Sequence, residues 1–242
     1  MKTGNEYIKT IIKQYDEMSE VYDNFPISAK KNVNLFLNKM PEMRDKALDI
    51  GSGSGRLVKN LSNYFNEVYG FDISPGMINY AKRECKNNKN IVLDVMDARN
   101  MNYDKNSFDY IVSHTTLHHL SKDDQLIVLH KIKETLKPGG KVVIIEIVAK
   151  GLMKKYPHIV RKIGAFLTLA VNLIKLNKNS FSDYKKSTHP AWIAHLKTDE
   201  FLSPEDFKQI YISVFNNAEI TEIKKEFLMN HLFVLEWVKP KD

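Results

Sequence analysis

The chain has 242 residues, 43% of them hydrophobic and 27% charged, which is enough to bury one substantial core and argues against several independent domains. A single cysteine, Cys85, excludes a disulfide framework and a cysteine-rich metal site. The net charge of +7 invites a nucleic-acid partner, but the surplus is local. Residues 150–190 hold nine of the 36 Lys/Arg and one of the 29 Asp/Glu, leaving 27 bases against 28 acids elsewhere.

The N-terminus, MKTGNEYIKTIIKQYDEM, scatters its charges and has no apolar core of signal-peptide length, so a cytoplasmic, reducing setting is expected. Residues 5–40 carry helical spacing, first in Tyr7, Ile8, Ile11, Ile12, Tyr15 and Met18, then in Val33, Leu35, Phe36 and Leu37. A short apolar run follows, Ala47, Leu48 and Ile50, broken only by Asp49. It ends abruptly in Gly51-Ser52-Gly53-Ser54-Gly55, and Leu57, Val58, Leu61 and Phe65 then recur at helical spacing. This order predicts strand, tight turn, helix. Glycines in such a turn admit positive φ and let backbone approach a ligand, while the helix start offers free N–H groups. The pattern is G-x-G-x-G, not the G-x-G-x-x-G of dinucleotide-binding dehydrogenases.

Glu67–Phe71 predicts a second strand ending at Asp72, 21 positions beyond Gly51, where an acid suits the two hydroxyls of a ribose. Ser74-Pro75 is a helix start, with Met77, Ile78 and Ala81 facing the sheet. A third strand, Ile91–Val95, leads to Asp97-Ala98. A dehydrogenase needs no second acid there, whereas a carboxylate accepting from the exocyclic amine of an adenine accounts for it. Phe108–Ser113 is a fourth strand, opening on a loop with His114, His118 and His119. Adjacent His118 and His119 project differently and lack a zinc-type spacing, so no metal is expected. Ser121, Asp123 and Asp124 start the next helix and Lys131, Lys133 and Lys137 end it; Pro138-Gly139-Gly140 stops it, and Lys141–Ile147 is a fifth strand. Ile163–Ile174 is nearly apolar all round with basic flanks, yet its twelve residues fall short of a bilayer of roughly 30 Å. Ser203-Pro204 opens a helix through Phe207, Ile210, Tyr211 and Val214. Ile220–Ile223 and Phe227–Val238 then predict two strands joined through Lys224-Lys225-Glu226.

The ordered blocks LDIGSGSGRL, GFDISPGMI, VMDARNM, FDYIVSHTTLHHL and LKPGGKVVIIE resemble the class I S-adenosylmethionine-dependent methyltransferases, and among them the branch of the ubiquinone/menaquinone C-methyltransferases and many small-molecule enzymes. The resemblance is strong over residues 44–149. It implies an α/β fold, a Rossmann-like seven-stranded sheet, mostly parallel with an antiparallel last strand. Residues 1–43 would form a helical cap, 44–149 the S-adenosylmethionine-binding core, 150–200 an inserted lid, and 201–242 the helix and hairpin completing the core. The reaction implied is an in-line displacement in which a small-molecule acceptor takes the methyl and S-adenosylhomocysteine leaves.

The resemblance also distributes roles. Asp72 would hold the ribose, Asp97 and Ala98 the adenine edge, and Ile73 its face. Gly51, Ser52, Gly53 and Gly55 would hold the amino-acid end, with Ser113 and His114 near the methyl and Asp49 and Met77 as further cofactor-binding residues. An aromatic cap residue, Tyr22 or Tyr15, would sit by the sulfonium, since cations rest well on aromatic faces. Tyr15, His118, Trp192 and His195 are candidate substrate contacts; His195 with Asp199, and His114, are candidate catalytic groups. For residues 150–186 the leading reading is a lid, ahead of peripheral membrane contact or a dimer interface. An RNA methyltransferase using the basic segment 150–190 and a non-catalytic, cofactor-binding or membrane-associated regulator are the alternatives. Nucleic acid is disfavoured because the loop after the fourth strand reads Ser-His-Thr-Thr, not the Asn/Asp-Pro-Pro-aromatic of base methylators.

Overall fold

The computed structural model describes residues 4–20, 29–149, 201–224 and 231–241. Seven strands form one sheet in the order β3-β2-β1-β4-β5-β7-β6. They are β1 (Lys46–Ile50), β2 (Glu67–Asp72), β3 (Ile91–Val95), β4 (Phe108–His114), β5 (Leu136–Val148), β6 (Glu219–Lys224) and β7 (His231–Val238). β1 pairs in parallel with both β2 and β4, and β7 runs antiparallel to β5 and β6. Six strands therefore share one direction and β7 opposes them, as the resemblance implied. The chain begins at the centre, steps out to β3 and returns across β1 to β4. That reversal opens a crevice at the carboxyl ends of β1 and β4.

Helices α1 (Gly4–Met18), α2 (Ala29–Leu37), α3 (Arg56–Leu61), α4 (Pro75–Glu84), α5 (Lys122–Thr135) and α6 (Pro204–Val214) complete the described fold. β1 and β4 are buried almost without interruption because both faces are covered, which is why their sequences run apolar instead of alternating. One core packs Ile50, Phe71, Ile111, Val128, Ile144 and Phe207 on the face under α5 and α6. The other packs Phe36, Leu57, Val58, Ile78, Val112 and Val143 under α2, α3 and α4. Serines cap three helices: Ser74 accepts from the Met77 amide, Ser121 from Asp124 and Ser203 from Asp206, each at the start that its sequence marks.

Two boundaries differ from expectation. β5 begins at Leu136, not Lys141, and α5 stops at Thr135, so Pro138-Gly139-Gly140 lies within the strand. The register slips between Phe108↔Leu136 and Tyr110↔Lys141, a bulge accommodated by Gly139 at φ +77. Gly139 N–H donates to the Lys239 carbonyl at 2.8 Å and Lys239 N–H to Gly140 at 2.9 Å, which keeps the bulged segment paired. Lys137 consequently does not cap α5; its ammonium donates to buried Asp109 at 3.0 Å. β7 is described from His231, and the expected start at Phe227 and the 224–226 connection lie largely outside the described residues. Ala149 N–H donates to the Leu202 carbonyl at 3.0 Å, which pairs the end of β5 with the stretch leading into α6. The lid and the basic segment themselves lie outside the described residues. No helix among the described residues is long and apolar enough to cross a membrane.

Candidate functional site

A pocket with about 750 Å³ of free space, part of it open to solvent, lies over the carboxyl ends of β1, β2 and β4, roofed by α1. Its first wall is the glycine turn. The amides of Gly51 and Ser52 both donate to the Phe71 carbonyl, at 3.0 and 2.9 Å, which fastens the turn to β2. Gly51 has φ +72, and a Cβ there would come within 2.2 Å of the Thr116 side chain. Gly53 has φ +50, and a Cβ there would meet nothing within 4 Å, since it faces the pocket. Gly55 packs instead on Ala81 and Cys85, closing α3 against α4. Ser52 Oγ is buried with no hydrogen-bond partner among the described residues. A bare backbone edge with an unsatisfied hydroxyl behind it fits a polar ligand end.

The floor is acidic. Asp72 accepts from the amides of Gly53 and Ser74, both at 2.9 Å, and lines the pocket. Burial pushes its pKa up, opposed by the amides of Ser74, Gly53 and Ile73. Asp49, one strand over and 2% exposed, is pushed up to about 8, by burial first and then by the Asp72 charge. Two carboxyls so placed favour a cationic ligand group, which relieves both penalties. The carboxylate of Asp16 on α1 accepts from Ser74 Oγ and, at 2.8 Å, from Gly76 N–H, which ties the roof to the start of α4.

Asp97 lines the far end beside Ala98, Ile73 and Met96. Burial raises its pKa, but hydrogen bonds and charge from Arg99 outweigh burial and hold it below the usual range. Arg99 donates from Nε to both carboxylate oxygens at 3.1 Å and from Nη2 to Oδ2 at 2.6 Å. Asp97 is thereby kept an acceptor. A carboxylate's remaining lone pairs suit an amine donor held between apolar neighbours.

The last wall is the loop after β4. His114 Nε2 shares a hydrogen bond with Asn32 Nδ2 at 2.8 Å. His119 Nε2 shares one with the Tyr15 hydroxyl at 2.9 Å, across 104 residues of chain. Ile8 and Ile11 from α1, and Leu120, supply apolar surface around this pair.

The pocket thus brings together Tyr15, Gly51, Gly53, Asp72, Ile73, Asp97, Ala98 and His114 from among the residues singled out by sequence. Asp49, Ser52, Gly55, Met77, Ser113 and His118 lie in its supporting walls and not on its lining. Met77 is fully buried in the core under α4, and His118 is buried with Nδ1 2.7 Å from Glu146. Ser113 donates its hydroxyl to the Ile50 carbonyl at 3.2 Å, bracing β4 against β1. Tyr22, Trp192, His195 and Asp199 lie outside the described residues. Sequence reading puts the loop 113–120 beside the methyl without singling out Thr115, Thr116, His119 or Leu120, and it misses Met96, Phe71, Ile8 and Ile11 on the lining and Arg99 behind Asp97. For Ile8 and Ile11, four positions from Tyr15 in the case of Ile11, the helical spacing was the available signal.

Residues 48–144 match the family described as "Methyltransferase domain". The chain is 30% identical over 149 residues to a demethylmenaquinone methyltransferase of Staphylococcus saprophyticus, covering 59% of this chain and 61% of that one. It is 35% identical over 104 residues to its Staphylococcus aureus counterpart, covering 42% of each. The chain thus spans about three fifths or less of these relatives' length. Among solved structures, the S-adenosylhomocysteine complex of DhpI superimposes with a TM-score of 0.65 at 15% identity, over 99% of this chain and 100% of that one. The N-methyltransferase NodS from Bradyrhizobium japonicum WM9, also with S-adenosylhomocysteine, gives 0.63 at 14% identity over 90% of each. These structural likenesses speak for the fold. Residues 48–144 therefore match a methyltransferase domain, carried on the seven-stranded fold that these solved structures share.

Proposed function

We propose that the protein transfers a methyl group from S-adenosylmethionine to a small molecule. The observation that carries this reading is the convergence of Gly53, Asp72 and Asp97 on one pocket, each suited to a different part of one nucleotide. Asp72 would take the ribose hydroxyls and Asp97 the adenine amine, with Ile73, Ala98 and Met96 against the ring. The turn at 51–55, with Ser52 Oγ, would take the amino-acid end. Bound there, S-adenosylmethionine supplies a sulfonium-activated methyl group.

What remains for the protein is alignment, exclusion of water and removal of a proton from the acceptor. Ile8, Ile11 and Leu120 exclude water around the Tyr15–His119 pair. With neutral His119 accepting from the Tyr15 hydroxyl, the phenol oxygen can take a proton from an attacking group as its own passes to Nε2. The acceptor class that suits these walls is a small molecule with a proton-bearing nucleophile on an apolar body. By their names, the demethylmenaquinone methyltransferases among the relatives methylate demethylmenaquinone. We assign residues 44–149 and 201–242 to the core, 1–43 to the cap and 150–200 to an insertion.

The test is to incubate the protein with methyl-labelled S-adenosylmethionine and fractionated small-molecule extract. Label in an apolar, low-molecular-weight fraction with matching release of S-adenosylhomocysteine is expected. Label confined to RNA, or none in any fraction, would overturn the reading.

A further inference from the structure

Behind the pocket, and not on its lining, sits Glu146 of β5, 2% exposed. Its carboxylate gathers three hydrogen bonds from one loop. Oε1 accepts from the amides of Thr116 at 2.9 Å and Leu117 at 2.7 Å, and Oε2 is 2.7 Å from Nδ1 of His118. The Oε2–Nδ1 hydrogen bond ties the side chain of His118 to the same carboxylate as the two amides. Directly before these donors stands Thr115 at φ +51. The other non-glycine residues with positive φ among the described residues are Asn106 and Asn217, a residue type that tolerates the left-handed region. A β-branched residue there is strained, and such strain persists only where its surroundings over-determine it.

The surroundings that do so can be named. Thr115 N–H donates to the Ile145 carbonyl at 2.7 Å, one residue before Glu146, which prolongs the β4–β5 ladder up to the strained residue. The next two amides are then taken by the Glu146 side chain, so the backbone must turn sharply between Thr115 and Thr116. That turn seats the Thr116 side chain against Gly51, and starts the 3-10 turn Leu117–His119 that delivers His119 to Tyr15.

We propose that Glu146 is a positioning residue that clamps Thr115 in its left-handed conformation and so holds His114, Thr116 and His119 against the glycine turn at the pocket. Glu146 touches neither ligand; it acts through the loop, and the proposal rests on the cofactor reading above. Shortening its side chain by one methylene withdraws the carboxylate from the loop and lets Thr115 relax to negative φ. Glycine at 115 adopts φ +51 without strain, so it restores the turn in the absence of the full clamp.

S-adenosylhomocysteine binding to the full chain, by calorimetry, reads this out. Unmutated protein must bind first; if it does not, the cofactor reading fails and this inference is not what has failed. Given binding, Glu146→Asp is expected to weaken affinity about tenfold, and Glu146→Asp with Thr115→Gly to recover most of that loss. Undiminished affinity in Glu146→Asp, or no recovery in a double variant that is folded by circular dichroism, would overturn it. An independent reading needs no variant: in the unmutated chain the Thr116 and Leu117 amides should be among the slowly exchanging ones, and rapid exchange of both would sink the clamp.

Discussion

The hydroxyl of Tyr15, on the roof helix, meets Nε2 of His119, on the loop after β4, at 2.9 Å, with the two rings edge to face. The contact is made inside the pocket, across 104 residues of chain. If it removes the acceptor's proton, Tyr15→Phe and His119→Ala should each lower turnover by about a hundredfold or more. Binding of S-adenosylhomocysteine should change far less, because neither group is assigned to the nucleotide. Single-turnover rates beside calorimetric affinities separate the two effects, and an affinity loss equal to the rate loss would move both residues into cofactor binding.

Asp72 is held by two backbone amides and faces the pocket, so its carboxylate is oriented before any ligand arrives. Asp72→Ala should cost about 1.5–3 kcal/mol of S-adenosylhomocysteine affinity, the range for hydrogen bonds to a charged group. An unchanged dissociation constant would remove the ribose assignment.

Gly51 and Gly53 share positive φ but differ in what a side chain there would meet. At Gly53 a methyl group enters open pocket, so Gly53→Ala should cost ligand affinity together with a melting-temperature loss of roughly 2–8 °C from the left-handed backbone alone. At Gly51 the same methyl would meet Thr116 at 2.2 Å, so Gly51→Ala should melt lower than Gly53→Ala. Paired thermal scans without ligand check the order, and the reverse order would contradict it.

Asp49 sets a pH dependence. Its carboxyl is raised from 3.8 to about 8, chiefly by burial and further by Asp72, so the folded chain keeps a proton that the unfolded chain has lost. The stability held by the neutral form is complete below the unfolded value and is lost as pH climbs towards about 8. Asp72, also raised, acts in the same direction. Asp49→Asn stays neutral, so its melting temperature relative to the unmutated chain should rise progressively between about pH 5 and pH 8. A constant difference across that range would show that Asp49 is ionised throughout.

The parts of this fold legible in sequence are those specified locally. Serine caps precede α4, α5 and α6, glycines mark the turn after β1, and Asp72 and Asp97 follow the apolar runs that place them at strand ends. What escaped reading is what only distant contacts create. The loop's sequence does not give the partners of His118 and His119: Glu146, 28 residues on, engages His118, while Tyr15, 104 residues back, engages His119. Arg99 is the local exception: two residues after Asp97, it closes its fork on that carboxylate within the turn that follows β3. The bulge in β5 was hidden because Pro138-Gly139-Gly140 reads as a helix stop, and only pairing with Lys239 makes it strand.

The central claim is that the turn at 51–55 and the carboxylates of Asp72 and Asp97 hold one adenosyl nucleotide. Calorimetric titration of the full chain with S-adenosylhomocysteine addresses it most directly. One saturable site per chain, weakened by Asp72→Ala, is the predicted result; no heat of binding and no shift in melting temperature with the nucleotide would contradict it.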